Sequence, residues 1–272
     1  MSKMLKISNL SFSWGDNQVL KDINFNINSN ELIAILGVNG AGKSTLIKCI
    51  NGILKPNSGS INILDSEIDK MDILEVAKRA SYVPQNVQTN FPMEVFDVVL
   101  LGRRPHINWK ISQEDRDKVS TTLRALSLED FAFRRFDQLS GGERQRVVIA
   151  KAIAQDPNLF LFDEPTSDLD FWHQIEVMEE IKKLISDKDS DKSAIIAIHD
   201  INMAIRYADK IMLLHNGNIE YFGKPEEVIT NETIEHVFGV SCDITPASDD
   251  SPMRIYVTDK KLSIKKRNDK YG

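Results

Sequence analysis

The 272-residue sequence has little cysteine, no long apolar run and no excess of positive charge. Its two cysteines, Cys49 and Cys242, lack the spacing of a metal site, so we expect free thiols in a reducing compartment. No run approaches the roughly 18 apolar residues of a membrane span, and Met1 to Leu10 alternates like a strand rather than resembling a signal peptide. A net charge of −6 is not typical of a nucleic-acid-binding protein. These absences predict a cytoplasmic protein that would reach a membrane only through another protein.

What the sequence does contain is a glycine-rich phosphate-binding pattern. Residues 37–45 have the sequence Gly-Val-Asn-Gly-Ala-Gly-Lys-Ser-Thr and follow the apolar run 32–36, which places G-x-x-x-x-G-K-[ST] between a strand and a helix. The glycines let backbone N–H groups surround a polyphosphate, Lys43 can reach its β- and γ-phosphates, and Ser44 can bind Mg²⁺. A helix over about 45–50 would point its positive end at the same anion. The candidate nucleotide ligands here are Gly37, Asn39, Gly40, Ala41, Gly42, Lys43, Ser44 and Thr45.

A second glycine pair opens another helical pattern. Residues 139–146, hereafter the signature segment, have the sequence Leu-Ser-Gly-Gly-Glu-Arg-Gln-Arg. Ser140 and Glu143 have capping-box spacing, so the helix should begin here. Gly141 and Gly142 would let an anion approach the helix N-terminus closely. Ser140, Gly141 and Gly142 are therefore further candidate nucleotide contacts.

The buried strand predicted over 159–162 ends in two carboxylates, Asp163 and Glu164. Ligands of open α/β sheets bind at the carboxyl ends of the strands, so both carboxylates should lie near the phosphates. Asp163 is a candidate metal ligand, and Glu164 could act on a water molecule as a general base.

Two further predicted strands end in polar residues that could reach the same place. The strand over 194–198 ends at His199, which could stabilise charge on a phosphoryl group. The strand over 80–83 leads through Pro84 to Gln85, whose amide could bind Mg²⁺ or the attacking water.

Taken in order, these segments closely resemble the motifs of ATP-binding-cassette (ABC) ATPases. The resemblance spans roughly residues 3–239 and comprises an aromatic turn, the P-loop, the Q-loop, the signature, the acidic strand end, the D-loop and a switch histidine. It implies that ATP and Mg²⁺ are the ligands. It assigns catalytic roles to Glu164, His199 and Gln85, and metal contacts to Ser44, Gln85 and Asp163.

The resemblance also points to an adenine contact and to a loop at a dimer seam. Trp14 resembles the aromatic residue that stacks on adenine, whereas we expect Phe12, on the same strand face, to lie in the core. Ser167 to Asp170 resembles the D-loop, but Asp168 departs from the small residue or histidine common there, and its effect across the seam stays open.

A dimer follows from the resemblance. ABC ATPases pair head to tail, and each ATP lies between the P-loop of one chain and the signature segment of the other. We therefore expect a homodimer in which Ala41 and Leu139 face each other between protomers.

Residue patterns predict an α/β fold of the P-loop NTPase type. Strands and helices alternate after residue 158, which indicates a mostly parallel sheet, while short strands over 1–35 indicate an antiparallel N-terminal subdomain. Apolar spacing over about 92–157 predicts an inserted helical subdomain. We expect one ABC ATPase domain over 3–239 and a solvated, partly disordered tail over 240–272. Basic residues near its end could alternatively meet a membrane surface; they are Lys260, Lys261, Lys265, Lys266, Arg267 and Lys270.

Two segments narrow the resemblance within the ABC family. Phe91-Pro92 and Gly-Arg-Arg-Pro-His at 102–106, together with residues 170–174, resemble ATPases that serve iron-siderophore, haem and vitamin B12 importers, although Arg104 departs from the frequent aromatic residue. This implies a separate membrane permease, docked near residues 85–106 with Arg103 and Arg104 taking part, and indirectly a substrate-binding protein. The chain would then lie on the inner face of the cell membrane. Ordinary turn chemistry could also explain the 102–106 segment. The alternatives are a soluble ABC ATPase acting as a scaffold or assembly factor, as in iron–sulfur cluster assembly, and an exporter subunit.

Overall fold

The computed structural model describes residues 3–85, 92–187, 191–248 and 251–260. Its strands are β1 (Lys3–Trp14), β2 (Asn17–Asn28), β3 (Leu32–Leu36), β4 (Ser58–Ile63), β5 (Ser66–Glu67), β6 (Ala80–Val83), β7 (Leu159–Asp163), β8 (Ser193–Ala197), β9 (Lys210–His215), β10 (Asn218–Gly223), β11 (Val240–Thr245) and β12 (Arg254–Lys260). Its α-helices are α1 (Lys43–Ile50), α2 (Ile73–Arg79), α3 (Val95–Leu100), α4 (Gln113–Ala125), α5 (Gly141–Ala154), α6 (Phe171–Ser186), α7 (Ile201–Tyr207), α8 (Pro225–Val228) and α9 (Asn231–Phe238). No helix among these residues is long and apolar enough to cross a membrane.

A mixed, mostly parallel sheet forms the centre of the molecule. Its strand order is β10-β9-β3-β8-β7-β6; the first pair is antiparallel and the others are parallel. Strands β3, β7 and β8 are buried along their whole length, as expected of parallel strands covered on both faces. This confirms the predicted fold class.

The N-terminal strands form a separate antiparallel sheet of order β2-β1-β4-β5. Its inner face, with Ile7, Ile23 and Ile61, joins α1 residues such as Leu46 in one apolar core. Phe12 is 6% exposed, which confirms its predicted core position. The packing fixes the P-loop, which connects β3 to α1, between the two sheets.

Helices occupy most of residues 95–154, as predicted, and their core residues include Val99, Val119 and Val147. A 3-10 turn over Leu101–His106 continues α3 and crosses α5 closely. A Cβ built on Gly102 would lie 2.2 Å from the backbone oxygen of Lys151, so only glycine permits this crossing.

The prediction of a solvated tail from residue 240 is wrong for its described part. Strands β11 and β12 form an antiparallel hairpin that packs on α9 and α7. Cys242, Met253 and Ile255 are buried in the main core. Polar residues outnumber these apolar positions, so the strand pattern was weak in the sequence. Residues 261–272 lie outside the described part of the chain.

Candidate active site

Residues from the P-loop and from three strand ends meet around one cleft of ≈ 520 Å³. Of the candidates from sequence, this cleft is lined by Asn39, Gly40, Gly42, Lys43, Ser44, Thr45, Gln85, Glu164 and His199. Asn17 and Val19 of β2 also line it. Sequence reasoning missed them because nothing in the local pattern shows that β2 folds over the P-loop.

The P-loop leaves the start of α1 open. Gly42 precedes the first helical residue with φ of 108°, and no described side chain caps the helix. A Cβ on Gly42 would lie 2.9 Å from Leu20 Cδ2, so glycine is needed for both conformation and space. The first N–H groups of α1 are therefore available to an anion.

Lys43 lies at the centre of this arrangement and is 5% exposed. Its Nζ donates to the backbone oxygens of Gly37 at 2.8 Å and Val38 at 3.4 Å. Burial lowers the Lys43 pKa, and the charges of Glu164 and Asp163 oppose that shift only in part. A buried cation held by neutral carbonyls gains stabilisation from a phosphate.

The oxygen atoms next to Lys43 suit a hard cation. Ser44 Oγ donates to Asp163 Oδ1 at 2.8 Å, and the Tyr82 hydroxyl donates to Asp163 Oδ2 at 3.3 Å. Burial, together with the neighbouring Asp163, raises the Tyr82 pKa, so the phenol keeps its proton. No group of three or more His, Cys, Asp or Glu in the described residues could hold a metal. Ser44 and Asp163 fit Mg²⁺ only if phosphate oxygens and water complete the site.

Glu164 lies between two hydrogen-bonding side chains. Its Oε2 accepts from Gln85 Nε2 at 2.5 Å, and its Oε1 is 2.5 Å from His199 Nε2. The residue has φ of 53°, which is uncommon for a residue with a side chain, and its N–H donates to the backbone oxygen of Ala197 at 3.0 Å. The three predicted catalytic residues are thus brought together at the carboxyl edge of the sheet.

Trp14 lies at the end of β1 and is 57% exposed. Its ring contacts Phe12 edge to face, with 5.1 Å between centroids. The next strand contributes Asn17 and Val19 to the cleft. Stacking of Trp14 on adenine stays a prediction.

The signature segment is not part of this cleft. Ser140 caps α5: its Oγ accepts from Glu143 N at 3.3 Å, while Ser140 N donates to Glu143 Oε2 at 2.7 Å. Ser140 and Gly141 are exposed. The expectation that Ala41 and Leu139 face a second protomer is wrong, because both side chains are buried in the cores of their own chain, at 4% and 3% exposure.

Arg103 does not offer its charge to a partner either. It is buried, donating from Nε to Asp115 Oδ1 at 3.0 Å and from a terminal nitrogen to Ala154 O at 2.9 Å. The prediction that it contacts a permease is therefore wrong, whereas Arg104 is exposed. Local sequence could not separate these adjacent arginines.

Curated relatives align with this chain over most of its length. An uncharacterised ABC transporter ATP-binding protein of Methanocaldococcus jannaschii is 46% identical, covering 87% of this chain and 92% of its own length. The petrobactin import ATP-binding protein FpuC of Bacillus anthracis is 34% identical, covering 96% of this chain and 95% of its own length.

Solved structures have the same fold. One, described as an inward-facing conformation of a metal-chelate type ABC transporter, has a TM-score of 0.81 with 31% identity, covering 95% of this chain and 98% of that one. Another is a dimeric, post-hydrolysis ATP-binding cassette bound to ADP and Pi, with a TM-score of 0.73, 32% identity and coverage of 82% and 99%. The sequence model described as ABC transporter matches residues 20–167. The chain therefore belongs to the ABC transporter family, as an ATPase that binds and hydrolyses ATP.

Proposed function

We propose that this chain energises uptake of a metal-chelate substrate through a separate membrane permease, using ATP bound in the cleft around Lys43. The observation that carries the ATPase site is the position of Glu164, which lies between Gln85 and His199 beside the buried Lys43. The substrate class rests on the relatives, since FpuC is named as a petrobactin import ATP-binding protein. A protein of Halobacterium salinarum named as a cobalamin import ATP-binding protein is 33% identical, covering 86% of this chain and 58% of its own length.

In this proposal the P-loop backbone from Gly37 to Thr45, with Ala41 and Asn39 between its glycines, surrounds the triphosphate. Lys43 Nζ leaves its carbonyl acceptors and binds the β- and γ-phosphates, while Trp14 stacks on adenine. Glu164 orients the attacking water and accepts its proton. His199 donates to the departing γ-phosphoryl group, where negative charge grows.

Mg²⁺ would be held by Ser44 and Asp163, with Gln85 as a further oxygen ligand. When bound, it neutralises phosphate charge as a Lewis acid. The Ser44–Asp163 hydrogen bond already brings these two oxygen groups together.

A homodimer would complete the nucleotide site. Ser140, Gly141 and Gly142 lie outside the cleft of their own chain, and two of them are exposed. A Cβ on Gly142 would lie 3.3 Å from the backbone oxygen of Asp168, so the signature segment and the D-loop form one surface. The dimeric cassette with ADP supports the proposal that this surface contacts the nucleotide of the partner.

The permease would dock on an apolar groove of ≈ 610 Å³, which lies between helix α2 and the C-terminal end of helix α1. Ile53 and Ile73 line it and are 53% and 87% exposed, while Leu101 nearby on the 3-10 turn is 48% exposed. An amphipathic helix from the cytoplasmic side of a permease suits such a groove. Ala80 and Tyr82 of β6 also line this groove, and Gln85 follows β6 in the chain, so docking would be coupled to the nucleotide state through this strand. The soluble scaffold and exporter alternatives receive no support from the named relatives.

The catalytic assignment is tested by Glu164→Gln. The amide keeps the shape but cannot accept the proton, so hydrolysis should fall by about 10²–10⁴ while ATP still binds. The variant should elute as an ATP-dependent dimer in size-exclusion chromatography. Glu226→Gln, an exposed change on α8, is the control. Wild-type turnover in Glu164→Gln would refute the assignment.

The docking groove is tested by Ile73→Asp. A charge at this exposed apolar position should lower co-sedimentation with permease-containing membranes by about tenfold or more, with ATP hydrolysis by the isolated chain unchanged. Val257→Asp, at 61% exposure on β12, is the matched control. If both variants sediment like wild type, the permease does not use this groove.

A further inference from the structure

The C-terminal hairpin β11–β12 lies against α7, the helix that follows His199. We infer that Asn202 is a positioning residue through which this hairpin holds the start of α7 and thereby orients His199 toward Glu164. The inference rests on the proposed role of His199 at the γ-phosphate.

Asn202 joins the two elements by a pair of hydrogen bonds. Its Nδ2 donates to Ile255 O at 3.2 Å, and Ile255 N donates to its Oδ1 at 2.9 Å. Ile255 lies opposite Ile244 of β11, and in an antiparallel pair alternate residues direct both backbone groups away from the partner strand. The Asn202 amide therefore satisfies both outward-facing groups of Ile255, as a neighbouring strand would.

Apolar packing strengthens this attachment. Cys242, Met253 and Ile255 on the inner face of the hairpin belong to the same buried core as Ala204 and Ile205 of α7. Tyr256, the next residue of β12, is 55% exposed on the other face. The hairpin is thus a cover over α7 rather than a loose extension.

His199 lies on a short connection between two fixed points. On the sheet side, Ile198 N donates to Ile35 O at 3.2 Å. On the helix side, Asp200 caps α7 by accepting from Met203 N at 3.0 Å, and Asn202 is fixed to Ile255. Three residues, 199–201, separate Ile198 from Asn202, so releasing Asn202 loosens the helix-side end of the connection that carries His199.

The kinetic test compares Asn202→Ala, Asn202→Asp and the exposed control Tyr256→Ser. Asn202→Ala should lower kcat about tenfold, because small misplacement of a catalytic group is costly, while KM for MgATP stays within about twofold. Asn202→Asp conserves the size of the side chain but turns a carboxylate oxygen toward Ile255 O in place of the amide donor, so it should also lower kcat. This variant decides the question if Asn202→Ala does not fold. Wild-type kcat in both Asn202 variants, or an equal loss in Tyr256→Ser, would overturn the inference.

A spectroscopic test follows His199 itself. The chain has five histidines, and the imidazole Hε1 signal missing from His199→Gln identifies the one required. In Asn202→Ala this signal should shift or broaden more than those of the other histidines, and an unchanged signal would overturn the inference. This NMR measurement tests the positioning of His199 separately from its proposed catalytic role. Wild-type kcat in His199→Ala would refute the catalytic role without changing what the Hε1 signal reports.

The kinetic effect must also depend on His199. In single-turnover reactions, Asn202→Ala should add no further loss in a His199→Ala background. The same fold loss with and without His199 would mean that Asn202 acts by another route, and the inference would fall.

Discussion

The N-termini of α1 and α5 both lie at glycines and are both candidate phosphate contacts, but only the N-terminus of α5 is capped by side chains. No described side chain caps α1, whose preceding residue is Gly42. Helix α5 carries a complete capping box between Ser140 and Glu143. The Glu143 carboxylate accepts the Ser140 backbone N–H, and this hydrogen bond is the main reason why its pKa is lowered.

The presence or absence of a side-chain cap gives the two helix N-termini different requirements for an anion. The start of α1 lies in a cleft with Lys43 buried beside it, so its backbone N–H groups are open to an external anion such as a phosphate. The start of α5 is satisfied by its own side chains and remains stable while exposed. This difference supports the proposal that α1 holds ATP within the chain and that α5 meets a nucleotide held by another chain.

Among the changes that test this comparison of α1 and α5, removing the cation beside α1 should have the largest effect. Lys43→Met should reduce ATP hydrolysis by about 10²–10³ or more, because a buried group that binds the developing phosphate charge is lost. Its Tm should not fall, since the change removes a desolvated charge whose pKa is already lowered. Lys48→Met, on the same helix, is the control. Retained hydrolysis would show that Lys43 does not bind the phosphates.

Two glycine substitutions compare the helix starts directly. Gly42→Ala should cost about 1–3 kcal/mol and weaken ATP binding, because φ of 108° and a 2.9 Å approach to Leu20 Cδ2 exclude a Cβ. Gly141→Ala has no atom within 4 Å of the new Cβ and adds helix propensity, so Tm should hold or rise. Thermal unfolding and fluorescent-nucleotide titration distinguish them. Equal destabilisation would contradict the comparison.

The smallest effect concerns the α5 cap and its dependence on pH. Glu143→Gln should lower stability at pH 7 by about 0.5–1 kcal/mol. Because the folded-state pKa of Glu143 is lowered from 4.5, its ionised form stabilises the fold above that pH, and this stabilisation is lost as pH falls through the folded-state value. The Tm difference between variant and wild type should therefore shrink on acidification. A difference independent of pH would mean that the carboxylate charge has no part in the cap.

Sequence located the strand-end residues well because each belongs to a short local pattern. Asp163 ends a buried, otherwise apolar strand, and Glu164 and His199 come shortly after such strands; the parallel sheet brings these strand ends to one edge. What sequence missed depends on packing between distant segments. Val19 reaches the cleft only because the N-terminal sheet folds over the P-loop, and Arg103 differs from Arg104 only through its buried bond to Asp115. The C-terminal hairpin was missed because its few apolar residues form a weak strand pattern and are buried only by packing against distant elements such as α7.

The close crossing at Gly102 gives α5 a mechanical property. The 3-10 turn bears on the helix backbone near Lys151, close to its C-terminal end, while the signature segment occupies its N-terminal end. A 14-residue helix is a stiff rod of about 21 Å. Backbone meets backbone at this crossing, with no flexible side chain between them. A displacement of the 3-10 turn would therefore move the C-terminal end of α5 and, because the helix is stiff, also the signature segment at its N-terminal end. The two ends of α5 therefore cannot move independently.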